Sequence, residues 1–522
     1  MSPRMACALG VVLLLATGGC ATMRRHVTPE QIAKLSPARP IVVYTRDDRE
    51  YRLRRHALVD SVLEGEGKVV GWGTQAPFQG RIPLDQIVAV RAGSRDALKT
   101  LALVGVTVVF AAYVHEAATS DGGLNAAEGR TYHTPISGGG SSCPYVYAWD
   151  GEGYRLQAEP FGIAWGKALE LTALQMLPAA RAEHGVVRLR LTNEREETHY
   201  VNAIGLRAVD LGGAPAAVLD DAGTAWPLWH PVAPAEVRER SGRDILAEVA
   251  EADGRMWECD PGSLTPDAGY EDVLEVTFAR PHDAGTGLLV VTGVNTSLSM
   301  AFQAQVFQMA GDRTPVLAHA IETDPELIAE LRGYLRDASL QASVWNGRDW
   351  EPAGAIQPEA SAVTFTRALR IQVPKGAGET VRVRLRSMAD VWKVDAIAAE
   401  WGDAAPLAMK PLEMRSAIGP DGEDLRGAIG AEDDRYAILL PPDRVELTFA
   451  AADDAGGHGV AYAVAGRGYL HEWEPREAEG GAAAVAAQVP GEQRVAFVKE
   501  LLKHRERFMQ PVYEAWRRER MR

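Results

Sequence analysis

The side chains that could do chemistry in this chain are four cysteines, 12 histidines and 70 aspartates and glutamates, spread over 522 residues. His115-Glu116 and His471-Glu472 begin like the zinc motif HExxH, but both lack the second histidine one helical turn later. The sequence has no CxxC pair, no GxSxG nucleophile motif and no GxxxxGK[ST] phosphate loop. The motifs therefore predict no metal, no cofactor and no catalytic residue, and they favour a protein that is not an enzyme.

Paired carboxylates are another route to catalysis, since a glycosidase needs two of them beside one bond. Among 70 acidic residues two can always be chosen as such a pair, so the number of acidic residues does not indicate whether the protein is a glycosidase. Asp220-Asp221 and Asp453-Asp454 lack the alternating oxygen ligands of a calcium loop, and we interpret both as turn residues. A carbohydrate-active enzyme with a carboxylate pair stays as an alternative function.

Tryptophans offer a second kind of candidate site, because an exposed indole can stack on the apolar face of a sugar ring. Trp345 and Trp350 flank the turn of a predicted hairpin, and we name them as candidate ligand-stacking residues. The competing interpretation is that both rings fill the core or the edge of a β-sandwich. Their exposure and mutual orientation distinguish the two.

The first twenty residues, MSPRMACALGVVLLLATGGC, have the form of a secretory signal. Arg4 gives a positive start, and residues 8–17 form an apolar stretch that is too short to span a bilayer. The run TGGC, which ends at Cys20, resembles the lipobox of bacterial lipoproteins, although Thr17 stands where leucine is usual. The resemblance implies that residues 1–20 hold a signal peptide and that Cys20 is acylated.

The same resemblance implies a protein of the bacterial cell envelope, bound to the membrane through a lipid anchor. Ala21 after the cysteine favours the outer membrane. Cleavage removes Cys7 and lipid occupies Cys20, so Cys143 and Cys259 remain in an oxidising compartment. They form either one disulfide or two buried thiols, because sequence does not give the distance between them.

The amino-acid composition indicates which other partners the protein can bind and how many domains it has. The formal net charge is −15, which argues against binding nucleic acid, since phosphate contacts need a basic face. An apolar content of 46% and a length of 522 residues predict a globular chain of about three or four domains.

The amino-terminal part predicts a small module and then an apolar segment. Residues 41–94 hold short β-rich segments between glycine-rich turns, which predicts an SH3-like β-barrel. The GxGxxxG run that starts at Gly65 lies in a hairpin rather than before a helix, so it is not a nucleotide site. Residues 97–118 predict an apolar helix associated with the membrane, with core packing as the alternative. Residues 119–142 are rich in glycine and serine and predict a linker.

The body of the chain is predicted to be β-rich and partly duplicated. VRLRLTNEREETHYVNAIGL (187–206) is similar to VRVRLRSMADVWKVDAIAAEW (381–401), and apolar residues alternate with arginines in both. This predicts two related β-sandwich modules, over 143–320 and 338–402, and a third β segment over 403–475. The arginines either bind anionic ligands or form the solvated face of a strand.

Two helices are predicted in the second half of the chain. Asp324-Pro325-Glu326 has the residue types of an N-cap and first turn, which predicts a helix over 324–336. Residues 492–522 predict an amphipathic helix that is basic within an acidic chain. This tail either docks on the acidic body or lies on anionic lipid.

Several blocks of the body, among them CPYVYAWDGEGYRL, VWNGRDWEPAG and GRGYLHEW, resemble uncharacterised β-rich modules of exported bacterial proteins. Such modules occur beside tetratricopeptide or propeller arrays, and the resemblance implies fold and location but no reaction. The sequence thus predicts a mainly β, non-catalytic envelope lipoprotein that binds a protein partner or a glycan. A structural envelope-assembly factor is a further alternative.

Overall fold

The structure is a computed structural model that describes the chain in segments. These are 24–26, 29–45, 50–71, 74–93, 144–195, 197–280, 285–296, 314–359, 362–374, 379–452, 459–472 and 493–504, with residues 298, 306, 310, 457 and 513. The predicted signal 1–20, apolar helix 97–118 and linker 119–142 lie outside these residues, as does Cys143. Within the described segments, no helix has the length and apolar character needed to cross a membrane.

The described residues are mainly β, and the prediction of a mainly β fold with sandwich-like modules is confirmed. Their strands form five sheets, in which nearly all neighbours are antiparallel. The chain divides into two compact units, residues 1–137 with 473–480 and residues 138–472 with 481–522.

The first unit contains one six-stranded sheet and a short helix. Its elements are β1 (Arg24–His26), α1 (Pro29–Lys34), β2 (Ile41–Thr45), β3 (Glu50–Val59), β4 (Val62–Gly71), β5 (Thr74–Pro83) and β6 (Ile87–Gly93). The strand order is β1-β6-β2-β3-β4-β5, so the last strand returns to pair with the second. A one-turn 3-10 helix, Leu84–Gln86, joins β5 to β6. This strand order and turn are compatible with the SH3-like barrel predicted for residues 41–94, which stays a prediction.

Gly67 of β4 lies against the backbone of the neighbouring strand β3. A Cβ atom on Gly67 would lie 2.0 Å from the carbonyl oxygen of Arg52, beside the bulge in β3 between Leu53 and Arg55. The glycine is therefore required by close backbone approach rather than by a bound phosphate.

We expect Gly67→Ala to lower the unfolding free energy of the first unit by about 1–3 kcal/mol, because two backbones must move apart. Amide hydrogen exchange of β3 and β4 measures the loss. Gly80→Ala is the matched control, since its Cβ would meet only the ring of Phe78, at 3.2 Å. Equal protection factors in the two variants would contradict the packing argument.

The second unit is built from four chain segments that alternate between two types. Segment A1 holds β7 (Tyr145–Trp149), β8 (Tyr154–Ala158), β9 (Leu171–Met176), β10 (Ala182–Glu183), β11 (Val186–Thr192) and β12 (Glu197–Asp210). Segment B1 holds β13 (Ala216–Asp220), β14 (Ala225–Leu228), β15 (Glu236–Glu239), α2 (Leu246–Val249), β16 (Glu271–Ala279) and β17 (Thr286–Asn295). The helices α3 (Thr314–Thr323) and α4 (Pro325–Ala338) follow.

Segment A2 then holds β18 (Leu340–Trp345), β19 (Trp350–Ile356), β20 (Phe365–Gln372), β21 (Thr380–Met388) and β22 (Trp392–Trp401). Segment B2 holds β23 (Met409–Leu412), β24 (Met414–Ile418), α5 (Arg426–Ile429), β25 (Ala437–Leu439), β26 (Arg444–Ala450) and β27 (Val460–Glu472). The last helix of the described residues is α6 (Arg494–Lys503).

The segments pair in a nested order. A1 combines with B2 in the sheets β24-β26-β11-β7-β8 and β23-β12-β27-β9, and we call this pair the outer sandwich. B1 combines with A2 in the sheets β15-β16-β21-β18-β19 and β14-β13-β20-β17-β22, the inner sandwich. In the first-named sheet of each sandwich the strands follow the same order, with two strands from a B segment and then three from an A segment. A1 is therefore equivalent to A2, and B2 is equivalent to B1. The inner sandwich is thus inserted between the two halves of the outer one.

Two bulges support this equivalence. Asn202 of β12 and Asp395 of β22 are each skipped in the pairing with the neighbouring strand. Both side chains bind the backbone of a loop in the partner segment: Asn202 Nδ2 donates to the carbonyl oxygen of Arg435 at 3.0 Å, and Asp395 Oδ1 accepts from Gly254 N–H at 2.9 Å. In both sandwiches, therefore, the side chain of the bulged residue in the A segment forms a hydrogen bond with the backbone of the B segment.

The predicted segments 143–320, 338–402 and 403–475 do not correspond one to one with these sandwiches. The similarity between 187–206 and 381–401 relates β11–β12 to β21–β22, which lie in equivalent places. A second similarity relates 239–257 to 419–437, around α2 and α5. It lies mostly in turn residues, such as Gly242 and Gly422, so it is not visible as a strand pattern.

The helices pack together beside the sandwiches. Asp324 caps α4, since its Oδ1 accepts from Glu326 N–H at 2.9 Å. Val498 and Leu502 of α6 are buried in the main core, and Lys499 Nζ lies 2.9 Å from Asp324 Oδ2. Of the two alternatives for the tail, the described part of it shows docking on the body.

Candidate functional site

The two tryptophans named from the sequence face each other across the β18–β19 hairpin. Trp345 and Trp350 are half-buried, with ring centroids 5.4 Å apart and planes inclined by 60°. The guanidinium of Arg384 lies 4.1 Å from the centroid of the Trp350 ring, and that of Arg382 lies 5.3–5.4 Å from both rings. The rings therefore form no single plane, and arginines occupy part of their faces.

The outer sandwich repeats this arrangement. Trp149 and Tyr154 lie across the β7–β8 hairpin, with centroids 5.6 Å apart and planes inclined by 72°. Arg188 lies 4.4 Å from the Trp149 ring and Arg190 lies 4.1 Å from the Tyr154 ring. We call the two sets the aromatic–arginine faces.

Each face also contains a glutamate that pairs with an arginine. Arg190 Nε lies 2.7 Å from Glu446 Oε1, and Arg384 Nη2 lies 2.6 Å from Glu275 Oε1. Since their charges are already paired, these arginines fit the solvated face of a strand better than an anion site. Ligand stacking on Trp345 and Trp350 stays a prediction.

Cys259, which either pairs with Cys143 or is a buried thiol, is buried at 2% exposure. Its sulfur lies 3.2 Å from the carbonyl oxygen of Asp260. Cys143 is outside the described residues, so both alternatives stay predictions.

A cavity of about 480 Å³ lies where the two sandwiches meet, and we call it the junction cavity. The outer sandwich supplies β9 residues and Arg207 of β12, and the inner sandwich supplies the β13–β14 turn and Arg367 of β20. Arg367 Nη2 donates to the carbonyl oxygen of Leu174 at 2.7 Å, which ties β20 to β9. The volume lies within the range of small-molecule sites.

One wall of the cavity is charged. The Arg367 side chain is 8% exposed and pairs with Glu359, while its Nε lies 3.8 Å from Asp221 Oδ1. Burial raises the pKa of Glu359, and the nearby Arg367 guanidinium opposes that shift. Burial also raises the pKa of Asp221, whose Oδ2 accepts from Gln357 N–H at 2.7 Å. Two carboxyl groups of raised pKa therefore share one guanidinium.

Another part of the cavity lining is apolar, and we call it the apolar wall. It includes Phe161, Ile163, Leu171 and Leu335. A sugar ring has apolar faces and an edge of hydroxyl groups, so it needs both kinds of wall. The cavity can therefore hold a hydroxyl-rich ligand, with the Asp221 carboxylate accepting its hydrogen bonds.

Sequence reasoning identified only part of this site. Asp220 fits its interpretation as a turn residue, because its Oδ1 accepts from Thr224 N–H at 2.8 Å. Asp220 and its neighbour Asp221 both line the cavity, which the turn interpretation did not predict. Glu359 and Arg367 were not predicted, because β20 also contains Arg370 and Gln372, so nothing in the strand sequence distinguishes Arg367. Asp453-Asp454 lies outside the described residues.

Comparison with known proteins adds little. No protein-family model matches the chain, and no curated protein matches its sequence. A structure of BuGH86wt in complex with neoagarooctaose aligns over 45% of this chain and 34% of its own, with 7% identity and a TM-score of 0.15. A GH31 alpha-xylosidase from Xanthomonas citri aligns over 83% of this chain and 38% of its own, with 9% identity and a TM-score of 0.14. At these TM-scores the likeness carries no argument about fold or function.

Proposed function

We propose that this chain is a non-catalytic binding protein of the bacterial cell envelope, whose ligand is a glycan held in the junction cavity. The observation that carries the proposal is the pairing of an apolar wall with a buried carboxylate–arginine wall in one cavity. Of the two predicted ligand classes, this chemistry fits a glycan better than a protein partner, which needs an extended surface rather than a cavity.

A carbohydrate-active enzyme is the second candidate, favoured by the two carboxyl groups of raised pKa in the same cavity. The contacts favour binding over catalysis. Glu359 is committed to an ion pair with Arg367, and Asp221 accepts a backbone hydrogen bond. A general acid must instead hold a proton that it can transfer to the leaving oxygen.

Blocking the cavity tests the proposal. Ala222 lines the cavity at an exposed position, so we expect Ala222→Trp to fill it and weaken oligosaccharide binding by about tenfold or more. Glycan-array screening followed by calorimetry on the full chain measures this. Ala216→Trp, at an exposed position of β13 that is not among the cavity residues, is the matched control. Release of reducing ends by the wild type would favour the enzyme instead, and equal binding by both variants would contradict the site.

We further propose that Cys20 carries the lipid that holds the protein at the envelope, with the outer membrane as its site. The support is the signal-like segment before Cys20 and the alanine after it. Several acyl chains on one residue give stable anchoring, whereas one chain alone is marginal.

We expect metabolic labelling with a palmitate analogue to mark the wild type, and Cys20→Ala to remove the label and release the protein into the soluble fraction. Cys259→Ala is the matched control, and it should keep the label. Persistence of label in Cys20→Ala would contradict the anchor.

A further inference from the structure

The junction cavity contains one arginine that the network around Arg367 does not use. Arg207 projects from β12 of the outer sandwich, is exposed and lines the cavity. Across the described segments, no carboxylate forms an ion pair with the Arg207 guanidinium, and no acceptor forms a hydrogen bond with that group. The positive charge of Arg207 is therefore not neutralised by the fold itself.

Asp221 is the complementary group on the inner sandwich. Its Oδ2 accepts from Gln357 N–H, while its Oδ1 lies 3.8 Å from Arg367 Nε, beyond hydrogen-bond distance. The side chain is 27% exposed, and a carboxylate has about four acceptor positions. Asp221 thus retains acceptor capacity toward the cavity.

The remaining charged groups of the cavity are already satisfied. Glu359 and Arg367 pair with each other, and Asp220 accepts from Thr224 N–H and from Trp226 Nε1, the latter at 2.9 Å. Among the charged groups of the cavity, those left for a ligand are therefore the Arg207 guanidinium and the Asp221 carboxylate, beside the apolar wall.

We propose that the glycan bound in the junction cavity contains an acidic sugar unit, whose carboxylate pairs with Arg207 and whose hydroxyl groups donate to Asp221. The proposal rests on the proposed function and makes Arg207 the residue that determines specificity. An arginine binds a carboxylate through two parallel hydrogen bonds, which gives a geometric as well as an electrostatic preference. A neutral sugar would leave the guanidinium without a counter-charge.

Trigalacturonate and its fully methyl-esterified form are the matched probes, because they differ only in methyl esterification, which removes the charge of each carboxyl group. With the full chain in calorimetry, we expect the acid to bind about tenfold or more tightly than the ester. Arg207→Gln should remove this preference by weakening the binding of the acid. Lys410→Gln is the matched control, since it removes an exposed charge from the neighbouring strand β23 and is not among the cavity residues.

The outcomes separate this inference from the proposed function. Loss of the preference in Arg207→Gln but not in Lys410→Gln would support the inference. Equal binding of acid and ester that is abolished by Ala222→Trp would keep the proposed function and overturn the acidic ligand. If neither these probes nor other glycans bind, both proposals fall.

Discussion

Arg367→Met should lower the free energy of unfolding of the second unit by about 3–5 kcal/mol at neutral pH. Methionine keeps much of the volume but leaves the largely buried Glu359 and the partly exposed Asp221 without the guanidinium that they share. The substitution also removes the hydrogen bond to the carbonyl oxygen of Leu174, so it loosens the junction between the sandwiches. Equilibrium denaturation of the full chain, followed by circular dichroism, measures the loss.

The loss should depend on pH in a defined direction. The pKa values of Asp221 and Glu359 are raised in the folded protein, so folding favours their protonated forms. Such groups contribute stability that is present below their unfolded pKa and is lost as pH rises through the folded pKa. Without Arg367 the ionised carboxylates cost more, so the difference between variant and wild type should widen from about pH 4 to pH 7.

Arg370→Met is the matched control on the same strand. The Arg370 side chain is 51% exposed, and its Nη2 lies 3.6 Å from Oδ1 of Asp403, whose side chain is 82% exposed. An exposed pair contributes about 0–1 kcal/mol, so this variant should stay close to the wild type. A loss of similar size in both variants would show that the buried network has no special role.

The nested pairing makes a second strong prediction, which concerns fragments. Residues 214–402 contain both segments of the inner sandwich, so we expect this fragment to unfold cooperatively on its own. Residues 143–320, which the sequence predicts as a first module, should not form a stable fold. In that fragment β12 loses its neighbours β23, β25 and β27, and β16 loses β21.

The outer sandwich without its insertion gives the matched control. Asp210 N–H donates to the carbonyl oxygen of Ala408 at 3.0 Å, so the two ends of the outer sandwich are adjacent. Residues 143–212 joined by a short linker to 405–475 should therefore fold. Urea denaturation and amide dispersion in nuclear magnetic resonance spectra measure both results. Cooperative unfolding of 143–320 alone would contradict the nested arrangement.

Local patterns in the sequence predicted much of the secondary structure. Alternation of apolar residues with arginines placed Val187, Leu189 and Leu191 on one face of a strand, and all three are buried. This prediction works because the side-chain period of a strand depends only on neighbouring residues. Asp324 is similar, since capping needs only the backbone N–H groups that follow it.

The partners of these strands could not be predicted in the same way. The order A1-B1-A2-B2 is compatible with each A segment pairing with the B segment beside it. It is equally compatible with the nested pairing, because the same strand faces are buried in both cases. The observed choice depends on contacts between residues more than two hundred positions apart, such as Arg190 with Glu446.

The junction cavity has the same origin. Asp221 lies more than a hundred residues before Glu359 and Arg367, and the three belong to no motif, so nothing local marks them as a group. The sequence by itself determined the β character, the strand faces, the repeat and the signal-like start, because these follow from neighbouring side chains. Only the tertiary structure decided which halves combine and which charges meet, because burial and Coulomb interactions depend on distances in space.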